Sequence, residues 1–269
     1  MKNKFLILSI LFSAMFACSN VWGQCRVENT FFREGEVLTY DMYFKLGFTS
    51  TKAGELTLSV SNDKIEDKGH YKMTYQVNTS GIVNSIFALH DTLYAYTSKE
   101  LVPIAYIKNA SEGGDYTQER IFYSYPGNGK VDLRAKRHKN GEFKFDEDLT
   151  ADQCIYDLVS VVYYARTFDF DSKKKGDVSS IGFISGKNIS SADIEFKGKK
   201  KIKGNDKKHY ECYELVLNFM AGGGDAKAKE MMKVYISADA NRIPIQIDSN
   251  LKKVGSVKGV IKATKGLRN

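Results

Sequence analysis

The sequence predicts an all-β fold, with about a dozen antiparallel strands forming a strongly curved sheet or open barrel against one packed amphipathic helix. Three observations carry this. Apolar and polar residues alternate with period two in most of the chain, turn signals fall between the alternating runs, and the 269 residues include only 3 Pro. Proline cannot donate to a ladder, so its scarcity suits long hairpins.

The first alternating run is Val37–Phe44, in which Leu38, Tyr40, Met42 and Phe44 share a face. Glu55–Asn62 follows with Leu56, Leu58 and Val60, and then Tyr71–Thr79 with Tyr71, Met73, Tyr75 and Val77. Further runs are Asp91–Thr97, Arg120–Tyr125, Val131–Arg137, Glu142–Phe145, Asp193–Lys203, Tyr210–Phe219, Met231–Ser237, Arg242–Asp248 and Val254–Thr264. Such alternation gives each strand one buried and one wet face. Asn140-Gly141 between two runs is a strong hairpin signal, and Gly204-Asn205-Asp206 joins two more. Gly222-Gly223-Gly224-Asp225 lacks the Gly-Lys-Ser/Thr of a phosphate loop and reads as a flexible connection.

The helix is expected over Asp152–Arg166. Thr150-Ala151-Asp152-Gln153 matches a capping box, and Ile155, Leu158, Val159, Val162 and Tyr163 keep helical spacing. At about 100° per residue, Arg166 falls within that apolar stripe. A core-facing arginine must be satisfied by helix-end carbonyls, a buried carboxylate or a ligand.

The N-terminus reads as an export signal. Lys2 and Lys4 precede the uncharged run Phe5–Ala17. Thirteen residues of helix reach about 20 Å, short of a bilayer core of about 30 Å. Cleavage before Gln24, after Val21-Trp22-Gly23, is favoured over lipidation at Cys18, because Met15 and Phe16 suit a lipobox poorly. Residues 1–23 are therefore read as a signal peptide and 24–269 as a single β domain, periplasmic or outer-membrane associated, with no transmembrane segment. Loss of the leader lowers the net charge from +8 to +6 and leaves Cys25, Cys154 and Cys212. A Cys154–Cys212 disulfide and buried free thiols are both open readings.

Several stretches, in order, resemble a bacterial envelope family catalogued as domain of unknown function 3108. These are Gly35, Glu36, Leu38, Tyr40 and Phe44; Ala53-Gly54; an Asp-x-x-Ser-x-x-Tyr-x-x-Arg element at Asp157, Ser160, Tyr163 and Arg166; and Ser237, Asp239, Arg242 and Pro244, followed by Gly255. The resemblance implies an exported, mostly β protein and brings no established catalytic residues. Read physically, Gly54 suits a bulge or a close backbone approach, and Asp239-Ala240-Asn241-Arg242 a turn.

Catalytic and metal constellations find little support. His70, His90, His138 and His209 are isolated, and no His-Glu-x-x-His, Cys-x-x-Cys or Gly-x-Ser-x-Gly occurs. His90 and Asp91 are strand neighbours and point to opposite faces. Cys154, in the expected first helical turn, has nucleophile geometry but no identifiable histidine partner. No cofactor or metal is expected, and export argues against nucleic acid.

The leading functional reading is an exported non-catalytic module that binds an apolar or amphipathic, lipid-like envelope molecule inside the curved sheet. It rests on 16 Phe and 16 Tyr, many on inner faces. Candidate ligand residues are Tyr40, Tyr75, Tyr163, Arg166 and Arg242. Lys199, Lys200, Lys201, Arg134 and Arg137 are candidates for contact with an anionic surface; the competing reading is solvated hairpins that discourage edge pairing. The alternatives are a structural or interaction protein of envelope assembly and a hydrolase using Cys154, Asp157 or His90.

Overall fold

A computed structural model of the chain describes residues 25–46, 49–219, 229–251 and 255–269. The expected leader, Cys18 and the Gly222–Asp225 stretch lie outside the described residues. The sheet is built from β1 (Val37–Leu46), β2 (Thr49–Asn62), β3 (Tyr71–Thr79), β4 (Leu89–Thr97), β5 (Pro103–Glu112), β6 (Asp115–Ser124), β7 (Val131–Lys139) and β8 (Glu142–Ala151). It continues with β9 (Ile155–Tyr156), β10 (Val178–Ser185), β11 (Asn188–Lys203), β12 (His209–Phe219), β13 (Lys229–Ser237), β14 (Pro244–Leu251) and β15 (Gly255–Lys265). Two short helices, α1 (Gly81–Ile86) and α2 (Ser160–Ala165), complete the described elements.

All fifteen strands form one sheet in the order β8 to β1, then β15 down to β9. The first eight strands form an up-and-down meander, and β10 to β15 form a second one. The two are zipped together by β1 and β15, from Val37 opposite Lys265 to Lys45 opposite Ser256. Among the described strands, only β9 and β10 pair in parallel. The sheet curls into a nearly closed barrel whose free edges, β8 and β9, are consecutive in sequence. Edge strand β8 turns Lys144, Asp146 and Asp148 outward, and charges of this kind discourage pairing with another chain.

Local chemistry explains the turns and bends. Asn140 (φ +53°) and Gly141 (φ +82°) supply the two left-handed residues of the β7–β8 hairpin. In β2, Met42 faces Gly54 while Tyr43 faces Lys52, so Ala53 is an extra, bulged residue. A Cβ on Gly54 would lie 2.0 Å from the Asn78 carbonyl oxygen, so glycine is needed for this close approach.

The helical segment differs from the sequence expectation. Thr150 and Ala151 end β8, Ile155–Tyr156 is a short strand, and the helix occupies only Ser160–Ala165. Cys154 is held by a disulfide to Cys25, and Ile155–Tyr156 pairs with Gly182–Phe183. Both ties keep that stretch extended. The box that starts the helix lies later in the chain. Asp157 Oδ1 accepts the N–H groups of Val159 and Ser160 at 2.9 Å, and Ser160 Oγ accepts the Asp157 N–H at 3.0 Å. The helix is also not amphipathic. Val159, Ser160, Val161, Val162, Tyr163, Ala165 and Arg166 are all buried, because the segment runs through the barrel as a plug.

The disulfide corrects the cysteine reading too. Cys25 pairs with Cys154, and Cys212 is a buried free thiol, which burial pushes up to about 12. It packs as a small apolar group.

Candidate functional site

The plug fills one end of the barrel, and there the sequence-distant motif elements meet. Arg166 and Glu36 are both fully buried. Arg166 Nη1 and Nη2 donate to the two Glu36 oxygens at 2.5 and 2.9 Å, and Nη2 also reaches the Asn241 carbonyl at 2.8 Å. The guanidinium lies 5.0 Å from the Phe32 ring and 5.6 Å from the Tyr163 ring. Arg242 lies 4.3 Å from the Phe31 ring and donates to the Phe168 carbonyl. Its turn is shaped by Asp239 Oδ1, which accepts the N–H groups of Asn241 and Arg242. Tyr40, also buried, donates to the Pro244 carbonyl at 2.8 Å. Tyr163 sits edge-on to Phe32 at 5.0 Å. The structure thus places Tyr40, Tyr163, Arg166 and Arg242 in a hub that fastens the plug to the sheet.

Asp157 starts the plug helix, and burial pushes its carboxyl up to about 6 against the pull of its hydrogen bonds. Because the folded pKa is raised, the fold keeps a proton that the unfolded chain has already lost between pH 4 and 6. Stability from this group is therefore present at low pH and is lost as pH rises through that window. Asp157→Asn keeps an acceptor for the backbone and removes the titration. The wild type should gain on the order of 3 kcal/mol relative to the variant between pH 7 and pH 4. Urea unfolding at both pH values measures it; parallel pH profiles would contradict the buried carboxyl.

Beyond the plug, the barrel walls line a partly open cavity of about 430 Å³. Leu158 and Val162 of the plug segment form part of its lining, and Met42, Leu56, Leu58, Phe183, Ile247 and Val257 form an apolar wall. Of the five ligand candidates Tyr40, Tyr75, Tyr163, Arg166 and Arg242, Tyr75 lines it, joined by Tyr106. Burial raises both phenols, so they remain neutral hydrogen-bonding groups.

The opposite side is polar. Lys108 of β5 faces Glu119 of β6, which faces Arg137 of β7, in one register row. Glu119 is only 3% exposed. Its Oε2 accepts both Nε (2.6 Å) and Nη2 of Arg137, and its Oε1 accepts the Gly186 N–H at 3.3 Å. Gly186 (φ +65°) forms the β10–β11 tip, and a Cβ there would lie 2.9 Å from the Arg137 guanidinium. The tip also places Lys187 on Glu147 of β8 at 3.0 Å. Side chains therefore bridge the seam between the two edges of the sheet. Near Lys108, the Asp91 carboxyl is pushed up to about 6, first by burial and then by the neighbouring Glu112.

The basic candidates separate. Arg134 points outward onto Asp146 and Asp148, whereas Arg137 points into the cavity, since an odd spacing on a strand reverses the face. Lys199 and Lys200 lie 5.3 Å from the rings of Tyr213 and Tyr235, and Lys201 lies 3.8 Å from Glu211. His90 is exposed beside Asn78, and the Cys154 sulfur is bonded to Cys25, which removes it as a nucleophile. Among the described residues no three His, Cys, Asp or Glu side chains gather as metal ligands, and no helix is long and apolar enough to cross a membrane.

Sequence reasoning missed Lys108, Glu119 and Leu158 as cavity residues. The signal for Glu119 was parity: it shares a face with Ile121 and Tyr123, one residue before the run read from Arg120.

The profile of the family described as "Protein of unknown function (DUF3108)" matches residues 39–262. The chain belongs to this family. A comparison with curated proteins finds no match. Among solved structures, this DUF3108 member is similar to a β-barrel-like protein of the DUF1849 family from Brucella abortus. The TM-score is 0.57 at 6% identity, over 87% of this chain and 98% of that one. A protein from Bacteroides fragilis described as exported, with a YmcC-like fold, matches at TM-score 0.34 and 11% identity, over 90% of this chain and 99% of its own. One from Parabacteroides distasonis described as a lipoprotein matches at 0.30 and 14%, over 88% and 99%. The first of these likenesses supports the barrel-like fold.

Proposed function

We propose that this DUF3108 member is an exported, non-catalytic binding module that holds an apolar or amphipathic, lipid-like envelope molecule in its barrel. The observation that carries this reading is the cavity of about 430 Å³, lined mainly by apolar side chains with a few convergent polar groups. Its size and lining are those of small-molecule sites, which span roughly 300–1,000 Å³. Export is supported by Lys2 and Lys4 before the Phe5–Ala17 run and by the Cys25–Cys154 disulfide, a bond that persists in oxidising compartments. In this reading the leader is cleaved before Gln24 and residues 24–269 act as one β domain.

The test is binding of the neutral fluorophore N-phenyl-1-naphthylamine, with native mass spectrometry of protein purified from its own envelope fraction. The wild type should bind the fluorophore, and Val257→Trp, which fills the cavity wall, should bind it about tenfold more weakly. Absence of fluorophore binding together with consistently empty protein would refute the proposal.

A further inference from the structure

We infer that the barrel selects an amphiphile with an anionic head, a carboxylate or phosphate, held by Arg137 and Lys108 at the polar side of the cavity. The inference rests on the binding reading above and names the ligand class.

The Lys108–Glu119–Arg137 row places two cations on either side of one carboxylate, all facing the cavity. The carboxylate is already engaged. Glu119 is 3% exposed, with one oxygen taken by Arg137 and the other by the Gly186 N–H. Arg137 spends Nε and Nη2 on that contact, and Nη1 has no acceptor among the described residues. Lys108 gives one hydrogen bond, at 2.8 Å, to Glu112, which is not part of the lining, and an ammonium carries three donors. Ser185 and Ser190 line the cavity from the β10–β11 hairpin, whose Gly186 tip touches Glu119. This corner therefore presents spare donors around a carboxylate whose two oxygens are both committed. Donors of this kind recognise an acceptor-rich anion, with charge-assisted hydrogen bonds from guanidinium and ammonium. Asp91 and Glu112 belong to the β4–β5 ladder beyond Lys108, towards the Gly113 turn. They bias the head towards the Arg137 side of the row. The wall of Met42, Leu56, Leu58, Ile247 and Val257 is left for the apolar tail.

The test displaces bound N-phenyl-1-naphthylamine from the full chain with palmitate, with monohexadecyl phosphate, and with neutral monopalmitoylglycerol. At least one of the anionic probes should compete about tenfold more strongly than the glyceride, and the stronger of the two identifies the head. Lys108→Gln should weaken the anionic probe several-fold and leave the glyceride unchanged. Arg137→Met combined with Glu119→Gln removes both charges, so that no carboxylate is left buried alone, and should abolish the preference for anions. A circular dichroism melt of each variant verifies folding. Equal competition by all three probes, or a preference indifferent to both variants, overturns the anionic head while leaving the binding reading intact. If the wild type binds neither the fluorophore nor any probe, both fall.

Discussion

Arg166→Met is expected to destabilise the protein by about 3–5 kcal/mol, the range for breaking a buried ion pair by removing one partner. The substitution keeps most of the side-chain volume, so the loss comes from charge and hydrogen bonding. Glu36 would be left fully buried without its cation, and the Asn241 carbonyl would lose its guanidinium donor. The effect spreads because Arg166 joins three parts of the chain. Glu36 leads into β1, Asn241 lies in the β13–β14 turn, and Phe32 under the guanidinium belongs to the N-terminal segment. At about 2–4 °C per kcal/mol for a chain of this size, the melting temperature should fall by roughly 10 °C. Adding Glu36→Leu should recover part of the loss, since an apolar pair leaves no uncompensated charge. Thermal melts and urea titrations of the wild type, single and double variants measure this. A single variant within about 1 kcal/mol of wild type, or no recovery in the double, would show that the pair does not hold the plug.

The strands were legible where their inner faces are simply apolar, as in Leu38–Phe44 and Tyr71–Val77. They were illegible where the barrel lines its cavity. The inward positions of β5 include Tyr106 and Lys108, so the alternation breaks at the residue that faces the lumen. Glu119 likewise shortened the readable part of β6 to Arg120 onward. β10 failed for another reason: Ile181–Ile184 are all buried, and a strand covered on both faces loses its period. The same logic governs the site. Arg166 was legible as an arginine needing a partner, because helical spacing placed it among apolar residues. Its partner Glu36 was not, since the pair spans 130 residues and only the closed topology brings them together. Tyr40 and Tyr163 were correctly read as inward, but facing inward meant the plugged end of the barrel for them and the cavity for Tyr75.

Loss of the Cys25–Cys154 disulfide is the second large effect expected, at about 2–5 kcal/mol. The bond spans 129 residues and joins the chain just before β1 to the stretch between β8 and the plug. A long loop confers much of its benefit by restricting the unfolded chain. It also has a local role here. Both β9 and the Asp157 box depend on where Cys154 is held, and the open side of the sheet is closed by the β10–β11 tip, through Lys187 on Glu147 and the Gly186 N–H on Glu119, rather than by a ladder. The Cys25→Ser, Cys154→Ser double variant should therefore unfold at a lower urea concentration than wild type, and reductant should bring wild type to the same midpoint. Both forms should still fold, because Glu36–Arg166 and the β1–β15 ladder remain. Peptide mapping without reduction should recover Cys25 and Cys154 in one linked fragment and Cys212 as a free thiol. A Cys154–Cys212 link would overturn the assignment, and a midpoint insensitive to reductant would show that the hub alone holds the plug.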